Sequence, residues 1–193
     1  MRIASVMVVL TIWLGACGEA VAKADSIPPT GTKQGWERQH LGDHVSEPGE
    51  ALPDFLRRTG AALRDFTRRT GHEACGALAR DGQRFSYRLY TDGVPHGCAV
   101  FPSQVLPGFT YTGETFHSHP TAAVIELDRA GRAWSRHYGV GVQHLRQALP
   151  IRNRWHTFSP EDFAGGPGWL VAGNRLLHQR GENEVTRHGR LSP

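Results

Sequence analysis

The sequence predicts an α/β (α+β) domain built on a mixed β-sheet flanked by helices. Three observations carry that expectation: an amphipathic helical stretch after residue 51, short strand-like runs divided by Asp-Gly turns, and a hairpin signal near the C-terminus. The 193 residues suit one domain. With 39% hydrophobic and 21% charged residues, the chain is neither disordered nor a polytopic membrane protein. Its 22 Lys and Arg against 18 Asp and Glu are scattered, so no nucleic-acid partner is expected. Histidine, at 11, is the unusual entry.

The N-terminus opens with Arg2 and then runs from Ile3 to Ala16 without a charge. That is short of the ~20 residues a membrane span needs and reads as a signal peptide over 1–17, hence export to the periplasm. Leu14-Gly15-Ala16-Cys17 resembles a bacterial lipobox, which implies a lipid on Cys17 and a membrane-anchored lipoprotein. Cleavage after Ala20-Val21-Ala22 fits the small-x-small rule equally well. Residues 18–50, rich in Gly, Pro, Ser and charges, read as a flexible tether in which Trp36 and Leu41 are the apolar anchors. The domain proper is expected over 51–193.

Within it, Leu52, Phe55, Leu56, Ala62, Leu63 and Phe66 fall at helical spacing opposite an arginine-rich face, and Gly71 ends the helix. Strands are expected over 73–80, 85–90, 97–101 and 111–119, the first three separated by Asp81-Gly82 and Asp92-Gly93. A helix is expected over 142–149. The segments 168–172 and 175–179 form a hairpin around Gly173-Asn174. Cys75 and Cys98, on neighbouring strands in this reading, either form a disulfide or sit as two small buried hydrophobes.

Three segments carry residues suited to chemistry. On a strand, side chains at i and i+2 share a face, so His117 and His119 of Thr115-Phe116-His117-Ser118-His119-Pro120 can close on one metal, and Pro120 ends the strand beside them. Phe158-Ser159-Pro160-Glu161-Asp162 has the form of a helix start, with Ser159 as N-cap and Pro160 first in the helix. Glu73 heads an otherwise apolar run that includes Gly76, where either a solvent-exposed strand end or a functional acid is expected.

Together these segments resemble the JAMM (MPN-type) zinc metalloproteases, whose signature is a glutamate followed by glycine in an early strand, then His-x-His-Pro, then Ser-x-x-Asp. The likeness covers about residues 52–185. It implies a cytidine-deaminase-like architecture and a Zn2+ ion held by His117, His119 and Asp162. Glu73 would then act as general base and Ser159 as hydrogen-bond donor to the oxyanion. The implied activity is hydrolysis of a peptide or isopeptide bond, and the exported address points to a peptide or protein substrate in the cell envelope. Some members of that broad family lack metal, so a non-catalytic binding or scaffold module is the alternative. The chain departs from the family in placing Thr121 to Phe158 between the histidines and the serine, a 38-residue interval. It thereby resembles bacterial domains with a distant Phe-Ser-x-x-Asp, and Asp128 is the other carboxylate to consider as third ligand.

Overall fold

Periodicity alone places the long helix, and its neighbours show why it matters. The computed structural model describes residues 35–139 and 149–193. After strand β1 (Gln39–Val45), helix α1 (Leu52–Thr70) starts with Pro53 in its first turn and stops at Gly71, whose φ of 73° is left-handed. Then come β2 (Cys75–Arg80), β3 (Phe85–Thr91), β4 (Thr110–His119), β5 (Val124–Leu127), α2 (Arg129–Tyr138), β6 (Leu149–Arg152) and α3 (Pro160–Ala164). The hairpin β7 (Gly168–Ala172) and β8 (Arg175–Gln179) and the strand β9 (Val185–Arg190) complete the chain.

Seven strands form one mixed sheet in the order β1-β3-β2-β4-β7-β8-β9, and β5 pairs with β6 in a separate ribbon. The expected mixed sheet flanked by helices is therefore present. All neighbours in the large sheet are antiparallel except β4 and β7, which pair in parallel from Thr115↔Gly168 to His119↔Ala172. A parallel pair needs a crossover to return the chain to the same end of the sheet. The interval 121–158, an insertion by sequence, belongs to that crossover.

Helix α1 covers one face. Phe55, Leu56 and Leu63 pack there with Leu78, Tyr87, Phe116, Trp169 and Val171 in the principal core. Because side chains alternate along β4, Phe116 and Ser118 face α1 while His117 and His119 face the other way. Two smaller clusters lie beyond the histidines: Phe158, Leu170, Ala172 and Leu177 in one, and Trp36, Val94 and Trp134 in the other.

Several expectations need correction. The tether over 18–50 does not extend through its C-terminal third, because β1 joins β3 as an edge strand and Trp36 is buried. Backbone pairing to an edge strand needs no apolar run, so composition did not signal it. Residues 97–101 form no strand; Ala99 instead gives its N–H to the Asp92 carboxylate. The strand expected over 73–80 is β2, which begins at Cys75, two residues after Glu73. The helix expected at 142–149 falls outside the described residues apart from Leu149, which opens β6, and α2 lies earlier in the crossover. The signal peptide, Cys17 and the 20–22 cleavage site also fall outside them. Among the described residues, no helix is long and apolar enough to cross a membrane.

Candidate metal centre

The end of β4 carries the site. His117 pairs in register with Cys75 on β2 and with Leu170 on β7, so its strand is fixed on both sides. The His117 and His119 Nε2 atoms lie 3.2 Å apart. Asp162, on α3, reaches them from across the crossover, with Oδ1 3.2 Å from His117 Nε2 and Oδ2 3.3 Å from His119 Nε2. These three residues form a group able to hold a metal ion. A tetrahedral ion with ligand bonds of 2.0–2.1 Å sets its ligand atoms about 3.3 Å apart; the two imidazole nitrogens match that separation, and Asp162 approaches it with a different oxygen towards each histidine. Lone pairs of two imidazoles and a carboxylate directed at one point repel unless a proton or cation lies between them.

Asp162 holds its place through the helix start that the sequence predicted. Ser159 Oγ accepts the Asp162 N–H at 3.1 Å, and Asp162 Oδ2 accepts the Ser159 N–H at 2.6 Å, which completes a capping box on α3. Capping and metal-site geometry are therefore one arrangement. The Ser159 hydroxyl serves as acceptor in the cap, so its own proton is available to a further partner. Burial alone would raise the Asp162 carboxyl, yet the charge and hydrogen bonds of His117 and His119 hold it well below the usual carboxylate range. Asp128 is placed elsewhere: it caps α2 by accepting the Gly131 N–H at 2.7 Å.

Glu73 stands beside the group with Oε1 4.0 Å from His119 Nε2. Its backbone is pinned on both sides, by the Glu73 N–H donating to Val94 O at 3.0 Å and by Thr91 Oγ1 donating to Glu73 O at 2.7 Å. Next to it, Ala74 donates its N–H to Ser118 Oγ, which also bonds Thr67 of α1. Burial pushes the Glu73 carboxyl up to about 8; His119 opposes the rise, and Asp162 and Asp92 add to it. Gly76 has a separate role, since a Cβ there would sit 2.5 Å from the Arg88 carbonyl oxygen and separate β2 from β3.

These residues open into a cleft of about 940 Å³. One wall is the loop from His96 to Pro102, joined to β2 by a Cys75–Cys98 disulfide, which settles the alternative left open by the sequence. The other wall comes from the crossover: Ile125, Trp134, Tyr138 and the stretch 151–154 line the cleft without filling it.

Sequence reasoning missed the node that ties the walls together. The buried Asp92 carboxylate accepts hydrogen bonds from Arg38 Nη1 at 2.7 Å, Trp134 Nε1 at 2.8 Å and the Ala99 N–H at 2.8 Å. Arg38 lies between the Tyr90 and Phe101 rings and bonds Gln104. It missed Gln179 too, whose side-chain amide donates to the Asp162 carbonyl at 3.3 Å. An acid before glycine was the only signal for Asp92, and that pattern also marks an ordinary turn. His96, which no sequence motif singles out, lines the cleft and bonds Ser135; burial lowers its imidazole to about 4. No family model, curated protein or solved structure matches the chain.

Proposed function

We propose that this protein is a zinc-dependent hydrolase of peptide or isopeptide bonds, of the JAMM type, working in the cell envelope. The observation that supports it most is the convergence of His117, His119 and Asp162 at 3.2–3.3 Å with Glu73 alongside, at the floor of an open cleft. Two neutral imidazoles and one carboxylate suit zinc and leave room for a fourth, exchangeable ligand, which distinguishes a reactive site from a structural one. Bound there, zinc would supply Lewis acidity and bring the pKa of water towards about 7.

The remaining steps belong to the chain. The Glu73 carboxylate takes the proton of the attacking water and returns it to the leaving amine nitrogen. Burial raises the Glu73 carboxyl in the metal-free site, and a cation held by the neighbouring residues would favour its ionised, proton-accepting form. Ser159 Oγ–H donates to the oxygen that gains charge as the carbonyl is attacked, a contribution of about 3–4 kcal/mol in comparable sites. The apolar N-terminal run and Cys17 favour export and a lipid anchor, and that address favours envelope peptides as substrates.

Metal analysis of the purified full chain tests the reading. One equivalent of zinc in the wild type and its loss in His117→Ala are expected; wild-type protein without stoichiometric zinc, or zinc unchanged in the variant, overturns it in favour of a binding module. Glu73→Gln is expected to keep zinc and lose turnover. For the anchor, a palmitate-analogue label on the wild type should vanish in Cys17→Ser.

A further inference from the structure

The crossover carries the charge of the molecule. Residues 121–158 hold six arginines against two carboxylates, Glu126 and Asp128, an excess equal to the formal +4 of the whole 193-residue chain. Two of those arginines, Arg152 and Arg154, line the same cleft as the metal group. Neither has a carboxylate within 4.0 Å among the described residues, although most arginines of α1 do. Unpaired guanidinium groups at a cleft are free to take a carboxylate in bidentate fashion.

Their placement is fixed by the residue between them. Asn153 Nδ2 donates to the Pro120 carbonyl at 2.6 Å and to the Ala122 carbonyl at 3.0 Å, and the Asn153 N–H donates to Ala123 O at 2.8 Å. Pro120 directly follows His119, so the two arginines project from a backbone clamped one residue beyond a metal ligand. In the same cleft, Phe101, Trp134 and Ile125 offer apolar surface. Of the three cleft carboxylates, Asp162 is engaged with the imidazoles and Glu73 is buried beside them, so Glu161, exposed on α3, is the one that opposes the two arginines.

From this we infer that the cleft selects acidic peptides, with substrate carboxylates held by Arg152 and Arg154 while the amide lies towards the His117, His119 and Asp162 group. The inference rests on the hydrolase reading for the fate of the peptide but not for its binding. An acidic peptide meets both the cationic rim and the apolar wall. A polyphosphate or nucleic acid would use the rim alone.

Fluorescence anisotropy on the full chain bearing Glu73→Gln, which prevents turnover, tests the inference with three labelled octapeptides: four Glu-Ala repeats, four Gln-Ala repeats and four Lys-Ala repeats. The Glu-Ala peptide is expected to bind about tenfold more tightly than the Gln-Ala peptide, a difference of one charge-assisted contact, and the Lys-Ala peptide more weakly still. Adding Arg152→Gln and Arg154→Gln should bring the advantage to within twofold, whereas Arg129→Gln with Arg136→Gln, an equal loss of charge on the exposed face of α2, should leave it in place. Equal binding of the three peptides, binding of none, an equal effect of both arginine pairs, or displacement by an oligonucleotide as effective as by unlabelled Glu-Ala peptide overturns the proposal. Zinc content measured on the same samples separates the two claims, because acid preference without zinc removes the hydrolase and keeps the binding site.

Discussion

Phe116 and His117 are neighbours on β4, yet they belong to differently constructed halves of the molecule. Phe116 enters a continuous apolar core under α1, where burial and close packing hold the helix to the sheet. His117 faces a cleft, and a face that must stay open cannot be closed by packing. Its walls are held by small apolar clusters, a disulfide and a buried ion pair. The lesson is that specific polar and covalent ties replace burial where a sheet face is kept accessible.

The sharpest test of this contrast is to truncate each neighbour. Phe116→Ala should cost about 3–5 kcal/mol in denaturant unfolding, as expected for a fully buried ring. His117→Ala should destabilise the metal-free protein much less while abolishing metal uptake. Equal losses would erase the distinction. On the cleft side, Asp92→Ala strands the Arg38 guanidinium, which is almost wholly buried, and should cost about 3–5 kcal/mol despite removing fewer atoms. A loss below about 1 kcal/mol, within the range of exposed pairs, would show that the node is not what holds the walls. Cys98→Ser opens a loop spanning 23 positions and should cost about 3 kcal/mol, read from the shift in unfolding midpoint with and without reductant.

A further prediction concerns pH. In metal-free protein the Glu73 carboxyl is raised from 4.5 to about 8, so the folded state binds the proton more tightly than the unfolded chain does. Its contribution is complete below about 4.5 and is lost as pH rises through about 8, at no more than about 1.4 kcal/mol per pH unit. Asp162, held low, behaves oppositely: its contribution is present above 3.8 and is lost as pH falls through its lower folded value. Between about pH 6.5 and 8, above the range in which the lowered His96 imidazole adds stability with rising pH, unfolding midpoints should therefore decline in the wild type and flatten in Glu73→Gln. An unchanged slope would remove Glu73 from the buried acids of the site.

Much of the α1 half was legible beforehand, because its evidence is periodic. The 3.6-residue spacing from Leu52 to Phe66, the Gly71 stop and the Gly173-Asn174 hairpin are local signals, and the structure follows them. The metal group was legible for a different reason. His117 and His119 share a face by strand alternation, and Ser159 with Asp162 carries the spacing of a capping box. The cleft walls were not legible. Arg38 and Asp92 meet over 54 positions and Trp134 joins over a further 42, distances at which neither charge nor periodicity identifies a partner. β1 was hidden by composition and β9 by its exposed, charged surface.

By itself, then, the sequence determined which residues could act together locally: two imidazoles on one strand face, a serine and an aspartate on one helical turn, and an amphipathic helix with one buried side. Only the tertiary structure decided that the aspartate reaches the imidazoles, that Asp128 does not, and that Arg152 and Arg154 flank the result. The physical reason is that local geometry follows from backbone dihedrals within a few residues, whereas the parallel pairing of β4 with β7, and the crossover it requires, arises from packing across the whole sheet.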